Sequence, residues 1–414
     1  MKILWLSHLI PYPPKGGVLQ RSHYLLKETA KHHTVDILAF NQKDLITPLF
    51  NSLDEGVEEA QSVLSNFCNY VEFYDIPSDK SRFTKYFLAL KSLVTKDPYN
   101  INWLKSETFR KSLSKIISEN KYDLVHIDTI SLIPFLDEIK HLPVVLDHHN
   151  IESHMLIRRA EKESNKLKAW YFQQEGKRLQ RVEQAICPQM ALNITCSEMD
   201  SQRLLKISPT SHVADVPNSV DEEYFTPTTL IAKDNKLLFI GTLSWYPNIE
   251  AVEFIANEIW PLLKEREVKA SFDIVGANPP DFLLSLANVE PDFRVHGFVD
   301  DVRTYFNNAA IFVCPIKDGG GTKLKILDAM SMGKVVIAHP IACEGIKVED
   351  GVSVIFAETA EEYVSQIEKV LSDSALREYI GINARQVIKD NYTNDSIGKK
   401  LSKLYKSCVD LKEK

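Results

Sequence analysis

The sequence predicts an α/β protein built from two Rossmann-like domains, each with a parallel sheet covered by helices. Short apolar runs alternate with longer helix-like segments along both halves of the chain. The chain has 414 residues, which is enough for two domains of about 200 residues each. No internal repeat, low-complexity tract or long charge run interrupts the alternation.

Nine apolar runs are predicted as strands. In the first half they are Ile3–Leu6, Val35–Phe40, Leu124–Ile127, Val144–Leu146 and Leu192–Thr195. In the second half they are Leu237–Ile240, Ser271–Val275, Ile311–Cys314 and Val335–Ala338. A polar, proline-containing stretch separates the halves and predicts a linker. We therefore divide the chain into an N-terminal Rossmann-like domain, a linker, a second Rossmann-like domain and a helical tail, at residues 1–216, 217–235, 236–385 and 386–414.

The composition is that of an ordinary globular protein, with 44% hydrophobic and 25% charged residues. The net charge of −7 argues against a nucleic-acid-binding protein, because such a protein needs a dominant basic field. The six cysteines lack CxxC spacing, and several lie in apolar runs, which fits free thiols in a reducing compartment. The first residues lack the apolar length of a signal peptide, and no membrane-spanning run follows. We therefore expect a cytoplasmic protein.

A glycine-rich loop follows the predicted strand Ile311–Cys314 and leads into a helix-like run. Its residues are Gly319, Gly320, Gly321, Thr322, Lys323 and Lys325. The N–H groups of such a loop and the positive end of the next helix attract phosphate, and the lysines add charge. Asp328, further along the helix, offers a carboxylate to ribose hydroxyls. The segment predicts a phosphate-binding site, and the alternative is an ordinary strand-to-helix turn with solvated lysines.

A second pair of glycines, Gly16 and Gly17, follows the first strand, and a helix is predicted from about Val18. The prolines before this pair stiffen the loop, and the glycines let the backbone approach a ligand closely. Contact with a phosphate or sugar and a purely structural turn both fit the pair.

Polar side chains directly follow the strand Val144–Leu146, beginning with Asp147, His148 and His149. Open parallel sheets bind ligands at the carboxyl ends of their strands, so we expect the active site in a cleft between the two domains. Because side chains alternate, at most one of the two histidines should reach a substrate, and the other should be structural. Two alternatives remain: both histidines serve the loop backbone, or all three residues hold a metal.

Two stretches are basic although the whole chain is acidic. Residues 79–115 contain nine Lys or Arg and three Asp or Glu, and residues 158–181 contain eight and three. Aromatic residues are interleaved in both. This combination suits an anionic lipid surface or a lipid-diphosphate acceptor, and the alternative is a solvated helical face over an ordinary core.

Taken together, the motifs of the chain resemble those of the retaining family 4 glycosyltransferases of the GT-B fold. In order along the second half they are Val216 to Asp221 with Phe225, Phe239 to Leu243 with Pro247 and Asn248, Ile274 to Gly276, His296 to Val299, and Gly319 to Gly333. In the first half, Gly16-Gly17 and His149 fall where the family has its first glycine-rich loop and its active-site histidine.

The resemblance implies a GT-B fold, with an N-terminal acceptor domain and a C-terminal donor domain facing a central cleft. It implies transfer of a sugar from a nucleotide-diphosphate sugar to a glycan or lipid-linked acceptor, with retention of anomeric configuration and without a metal cofactor. Polysaccharide biosynthesis at the inner face of the membrane, with peripheral contact to anionic lipid, is the expected setting.

The resemblance also assigns roles to individual residues. His149 would contact the transferred sugar, and Lys325 would neutralise the leaving diphosphate. Asp328 would hold ribose, and the main chain around Gly297 and Phe298 would hold the base. The other donor-binding residues would be Gly16, Gly17, Asn218, Gly241, Thr242, Gly276, Gly319, Gly320, Gly321, Thr322 and Lys323.

The sequence departs from the family pattern at three positions. The first glutamate of the family pattern falls on Gly320, and Thr242 and Pro247 stand where many members have Arg and Lys. The phosphate charge should therefore rest on Lys325, on Lys323 and on the N-terminus of the helix. A sugar-nucleotide epimerase or phosphorylase, or a non-catalytic sugar-nucleotide-binding protein, would share the fold. Dependence on an acceptor separates these alternatives from a transferase.

Overall fold

The computed structural model describes residues 1–228, 235–318 and 321–410. The chain forms two compact units, one of Met1–Pro217 with the residues from Ile397 onward and one of Asn218–Ser396. Each unit contains a parallel sheet flanked by helices, so the predicted α/β class with two Rossmann-like domains is confirmed.

The N-terminal unit has a seven-stranded sheet in the order β3-β2-β1-β4-β5-β6-β7, and all of its strand pairs are parallel. The strands are β1 (Lys2–Ser7), β2 (Thr34–Asn41), β3 (Tyr70–Asp75), β4 (Leu124–Ile127), β5 (Val144–His148), β6 (Leu192–Thr195) and β7 (Val213–Asp215). The α-helices are α1 (Gly17–Ala30), α2 (Lys43–Ile46), α3 (Leu53–Ser65), α4 (Arg82–Val94), α5 (Tyr99–Asn102), α6 (Glu107–Glu119), α7 (Leu136–Ile139), α8 (Glu152–Lys162), α9 (Lys166–Ile186) and α10 (Glu198–Ile207). Short 3-10 helices cover Thr47–Leu49, Pro77–Lys80, Ile130–Phe135 and Cys187–Gln189.

The central strands of this unit are mostly apolar because helices cover both faces of the sheet. Ile3 and Trp5 of β1 belong to one core cluster, and Leu4 and Leu6 belong to another. This alternation follows from the two-residue period of a strand.

The C-terminal unit repeats the same topology. Its sheet runs β10-β9-β8-β11-β12-β13, and all of its strand pairs are parallel. The strands are β8 (Lys236–Ile240), β9 (Ser271–Val275), β10 (Phe293–His296), β11 (Ile311–Cys314), β12 (Val335–Ala338) and β13 (Ile355–Phe356). The α-helices are α11 (Tyr246–Phe254), α12 (Trp260–Glu265), α13 (Asp281–Val289), α14 (Arg303–Asn308), α15 (Leu324–Ser331), α16 (Ala360–Ser372) and α17 (Ser374–Asn391), with a π-helical turn at Ile255–Ile259 and a 3-10 helix at Pro340–Cys343.

The last helix, α18 (Asn394–Asp410), supplies residues to the N-terminal unit. The hydroxyl of Tyr405 lies 2.8 Å from Nδ1 of His126, whose ring stacks on Trp5. The hydroxyl of Ser402 lies 2.8 Å from Nε2 of His33. Residues 397–410 are therefore part of the N-terminal core, whereas the sequence suggested a separate tail from residue 386.

Two further features bear on the sequence analysis. All six cysteines are buried and unpaired, as expected for thiols that pack as small apolar groups. Across the described ranges, no helix combines the length and apolar character needed to cross a membrane.

In both sheets, the first strand of the unit lies between its second and fourth strands. In the N-terminal sheet, the chain therefore adds strands in one direction from β1 and in the opposite direction from β4. In the C-terminal sheet, β8 and β11 form the same kind of reversal. Ligands of open α/β sheets bind at such a switch point, beyond the carboxyl ends of the strands. We therefore expect ligand-binding residues in the loops after these four strands.

Candidate functional site

In the N-terminal unit, a buried carboxylate stands at the switch point. Asp128 follows β4 and is fully buried. The hydroxyls of Ser7 and Ser22 donate hydrogen bonds to its Oδ2 at 3.0 and 2.9 Å. Nδ1 of His8 lies 3.2 Å from the same oxygen, and Nε2 of His149 lies 2.8 Å from Oδ1. Burial by itself raises the pKa of a carboxyl, but His149 and His8 hold the pKa of Asp128 well below its usual value.

The ring of His149 is oriented by this carboxylate. An ionised carboxylate only accepts hydrogen bonds, so Nε2 of His149 carries the proton that it donates to Asp128. Burial lowers the pKa of an imidazole, yet the charge of Asp128 holds the pKa of His149 above its usual value. Its Nδ1 is buried and has no hydrogen-bond partner among the described residues. One ring nitrogen is thus fixed by Asp128, and the other makes no hydrogen bond to the described residues.

The side chain of His148 lies on the opposite side of the end of β5 from that of His149. Its Nε2 lies 3.2 Å from Oδ1 of Asn193 and 3.9 Å from the sulfur of Cys187. Burial lowers the pKa of His148, so the ring is neutral at physiological pH. The two histidines differ as side-chain alternation predicts, and the catalytic role of His149 stays a prediction.

Asp147 forms a buried ion pair with Arg21 of α1. Arg21 donates from Nε and Nη2 to the two carboxylate oxygens at 3.0 and 2.6 Å, and from Nη1 to the carbonyl of Val216 at 2.8 Å. A bidentate pair of this kind fixes the position of α1 relative to the end of β5. Arg21 is not among the residues predicted from sequence, because a lone arginine within a helix carries no motif.

Three buried residues, His126, Asp128 and Asp147, place potential ligand atoms within 4.8 Å of one another. The sequence suggested a different set, Asp147 with His148 and His149, as one alternative for a metal. Arg21 already occupies both oxygens of Asp147, and hydroxyls and imidazoles occupy those of Asp128. We therefore assign no metal to this cluster.

The glycine pair after β1 begins α1. Gly16 has φ +95°, in the region that favours glycine, and Gly17 is the first helical residue. The carbonyl of Gly16 accepts the hydrogen bond of Gln20 N–H at 2.9 Å. The same helix carries Ser22, whose hydroxyl donates to Asp128. Contact of this pair with a donor phosphate stays a prediction.

In the C-terminal unit, the loops after β8 and β9 touch each other through glycines. The N–H of Gly276 donates to the carbonyls of His296 and Gly297 at 3.1 and 3.2 Å. A Cβ atom at Gly276 would overlap the carbonyl oxygen of Gly241. We call the backbone at Gly241, Gly276 and Gly297 the glycine edge. It is packed more closely than any side chain at position 276 would allow.

We expect Gly276→Ala to destabilise the C-terminal unit by about 1–3 kcal/mol, the usual cost of overpacking a rigid site. Gly297→Ala is the matched control, because no described heavy atom lies within 4 Å of a Cβ built there. It should change stability by less than about 0.5 kcal/mol. Urea unfolding followed by circular dichroism measures both, and equal stability of the two variants would contradict the packing argument.

Lys325, in the first turn of α15, extends its ammonium group under this glycine edge. Its Nζ lies 2.6 Å from Oδ1 of Asn248 and 4.7 Å from the ring centre of Phe239. A Cβ atom at Gly241 would stand 2.5 Å from this nitrogen. Asn248 is held in turn, since its amide donates to the carbonyl of Thr242 at 2.8 Å. Burial lowers the pKa of Lys325 to about 8.

Asp328 lies one turn after Lys325 on the same helix. Burial raises its pKa to about 8, and the charge of Lys325 offsets this only in part. Its Oδ1 is buried without a hydrogen-bond partner in the described part of the chain. Such an atom is costly unless a ligand or water meets it, which suits the ribose role implied for Asp328. That role stays a prediction.

The glycine-rich loop before α15 is described only in part, because Gly319 and Gly320 lie outside the described residues. Gly321 has φ +67°. Asn218 holds the next residue of the loop: its N–H donates to the hydroxyl of Thr322 at 3.1 Å, and its amide donates to the carbonyl of Thr322 at 3.0 Å. Asn218 therefore positions the loop through Thr322.

Lys323, Gly297 and Phe298 are three other residues that the sequence predicts in the donor site of the C-terminal unit. Nζ of Lys323 lies 3.4 Å from the carbonyl of Gly321, so its charge stays near the loop backbone. Gly297 follows β10, and the ring of Phe298 beside it is 53% exposed. An exposed aromatic ring at a strand end suits a stacking contact, and the predicted base-binding role is untested.

The structure adds residues that the sequence analysis did not select. Asp128 carried the same signal as Asp147, a polar residue directly after an apolar strand, and could have been found by it. Asn248 belongs to a quoted motif, but its hydrogen bond to Lys325 depends on the packing of α11 against α15. Arg21 and Ser22 carried no signal.

Comparisons with known proteins agree with this picture. Residues 234–373 match the family described as Glycosyl transferases group 1. An uncharacterized glycosyltransferase of Methanocaldococcus jannaschii is 26% identical over 185 residues, which cover 42% of this chain and 46% of that protein. The matched part of the chain spans less than half the length of the curated relatives.

Solved structures match over nearly the whole chain. HepE of Anabaena, in complex with UDP, is 16% identical with a TM-score of 0.68, covering 98% of this chain and 100% of that one. Sucrose-phosphate synthase of Thermosynechococcus elongatus is 15% identical with a TM-score of 0.70, covering 99% and 100%. These likenesses establish the GT-B fold. Residues 234–373 thus match the glycosyl transferases group 1 family, and the chain has the GT-B fold.

Proposed function

We propose that this protein is a glycosyltransferase that moves a sugar from a nucleotide-diphosphate sugar to a glycan or lipid-linked acceptor. The observation that carries the proposal is the partly buried ammonium of Lys325 under the glycine edge of the family-matched domain. A positive charge held beside closely packed backbone suits a diphosphate better than a neutral ligand.

The chemistry of transfer makes use of this arrangement. When the bond between sugar and diphosphate breaks, negative charge grows on the leaving oxygen. An ammonium held in advance by Asn248 stabilises that charge without reorganising, and the N-terminus of α15 adds its positive dipole. Burial strengthens both effects because water screens them less.

The donor class rests on the relatives as well. HepE of Anabaena has been solved with UDP, with UDP and glucose, and with UDP-glucose. We propose a nucleotide-diphosphate sugar as the donor of this chain too, with Asp328 on the ribose and the Gly297-Phe298 backbone on the base. We include no metal, and we assign the positive charge at the diphosphate to Lys325, Lys323 and the helix N-terminus.

In the N-terminal unit, we propose that His149 contacts the transferred sugar and that the N-terminus of α1 at Gly16 and Gly17 approaches the donor phosphates. Retention of anomeric configuration follows the resemblance to the retaining family, and NMR of the product anomer tests it. A role in polysaccharide assembly, with the protein in the cytoplasm at the membrane surface, completes the proposal.

A nucleoside diphosphate is expected to stabilise the protein. At about one hundred times its dissociation constant, a ligand that binds only the folded state adds about 2.7 kcal/mol to the free energy of unfolding. Thermal unfolding with UDP, ADP and GDP, and with UMP and inorganic phosphate as controls, measures the effect and ranks the bases. If no diphosphate or nucleotide sugar raises Tm at millimolar concentration, the donor site is wrong. Hydrolysis or epimerisation of a bound donor without any acceptor would replace transfer by another reaction on the same site.

A further inference from the structure

Helix α4 turns a large apolar face toward solvent. Its residues at 83, 86, 87, 90 and 94 follow the three- and four-residue spacing of one helix side. They are Phe83, Tyr86, Phe87, Leu90 and Val94, with exposed fractions between 67% and 86%. Single exposed apolar residues are ordinary on a protein surface, but a contiguous stripe of five large ones marks a binding surface.

The other side of α4 is anchored to the N-terminal unit. Ser81 caps the helix through reciprocal hydrogen bonds with Thr84. Ser92 is buried, its hydroxyl accepts a hydrogen bond from Asn102 at 3.1 Å, and its carbonyl accepts one from Arg178 at 2.6 Å. The helix is thus folded and fixed in place, and its apolar stripe is presented without a need for rearrangement.

The surroundings of the stripe are positively charged. The helix with two residues on either side contains five basic residues and no acidic residue, in a chain whose net charge is −7. The basic residues are Lys80, Arg82, Lys85, Lys91 and Lys96. Asp44 and Asp79 beside the helix are already paired with Lys85, at 3.0 and 2.5 Å. Lys91 and Lys96 are exposed.

We propose that the stripe of α4, defined by the five apolar residues above, docks the protein on an anionic lipid surface with the helix lying in the plane of the interface. The apolar side chains would enter the boundary between headgroups and acyl chains, and the exposed lysines would meet anionic headgroups. A second copy of the chain is a poorer occupant, because pairing two stripes would bring like charges together. Docking is independent of the donor site, and it would bring the N-terminal unit to lipid-linked acceptors.

Two residues of the second basic stretch, Arg159 and Arg178, make contacts within the N-terminal unit. The guanidinium of Arg159 lies 4.3 Å from the ring centre of Phe172, and Arg178 binds the carbonyl of Ser92. Leu167 and Trp170 at the start of α9 are exposed, but α4 holds the longer stripe. We therefore assign docking to α4.

The test compares the full chain with Phe87→Ser/Leu90→Ser, which shortens the stripe at exposed positions. Leu284→Ser/Val289→Ser is the matched control, since these apolar residues are exposed on α13 of the other unit. Co-sedimentation uses vesicles of phosphatidylcholine alone or mixed with phosphatidylglycerol, at low and at high salt. We expect the α4 variant to lose about tenfold or more in affinity for the anionic vesicles, the control to lose none, and salt to weaken binding.

Three results would overturn the proposal: no binding of the unmodified protein to anionic vesicles, equal binding of the α4 variant, or equal binding to neutral vesicles. A dimer of the unmodified protein that becomes a monomer in the α4 variant, measured by light scattering, would make the stripe an interface between copies instead. The rise in Tm with UDP should be the same in both variants. Failure of docking is therefore distinguishable from failure of the donor-site proposal.

Discussion

Replacing Lys325 by alanine is expected to lower turnover by roughly two to three orders of magnitude, the usual loss when one preorganised electrostatic group is removed from an active site. The ammonium group is held by Asn248 and lies under the glycine edge, so its charge is fixed in place before a ligand binds. Steady-state kinetics with an identified donor and acceptor measure the effect.

Lys323→Ala is the matched control for this experiment. Lys323 precedes α15 and its Nζ stays near the loop carbonyl of Gly321, at 3.4 Å, so its removal should cost clearly less than that of Lys325. Unchanged turnover in Lys325→Ala, or a larger loss in Lys323→Ala, would transfer the proposed charge stabilisation to another group.

The pH dependence of diphosphate binding provides a second readout of Lys325. Burial lowers the pKa of Lys325 to about 8 in the ligand-free protein, so the ammonium is charged below that pH and neutral above it. A bound diphosphate favours the charged form, and binding above pH 8 must therefore take up a proton. Affinity for a nucleoside diphosphate should fall as the pH rises through about 8 in the unmodified protein. The fall should be smaller in Lys325→Ala, and the part that remains is expected from Asp328, whose pKa burial also raises to about 8.

The sequence predicted the central strands well because helices cover both faces of each sheet. Leu124–Ile127, Ser271–Val275 and Ile311–Cys314 have the predicted bounds. The strands that the prediction missed are β3, β7, β10 and β13, and all four lie at the edges of their sheets. Strands β3, β7 and β10 are partly exposed and carry polar residues, and β13 has only two residues. All four therefore lack the continuous apolar run that marks a buried strand.

Residues of the candidate site could be predicted only where they belong to a local sequence pattern. The polar residues directly after an apolar strand indicated His149, and the glycine-rich loop indicated Lys325. The hydrogen bonds that orient these residues join Asp128 to His149 and Asn248 to Lys325, across 21 and 77 positions of sequence. Such partners depend on strand order and helix packing, which hydrophobic periodicity does not encode.

His149→Ala is expected to cut sugar transfer about a hundredfold or more while leaving nucleotide affinity nearly unchanged. Asp128 fixes Nε2 of His149 at 2.8 Å, and Nδ1 remains without a partner among the described residues, so the ring is presented in one orientation. An imidazole that contacts the sugar contributes to turnover, whereas we assign the charge of the diphosphate to Lys325 and Lys323. Kinetics at saturating acceptor, together with nucleotide titration, separate the two effects.

His148→Ala serves as the control, and it should affect stability more than turnover. His148 is buried, and its Nε2 lies 3.2 Å from Oδ1 of Asn193, so removing the ring leaves a cavity and an unsatisfied amide oxygen. A loss of about 1–3 kcal/mol in the free energy of unfolding is expected from that change. If His148→Ala loses more turnover than His149→Ala while both remain folded, then the earlier histidine faces the sugar. The side of the strand end that faces the sugar would then be that of His148.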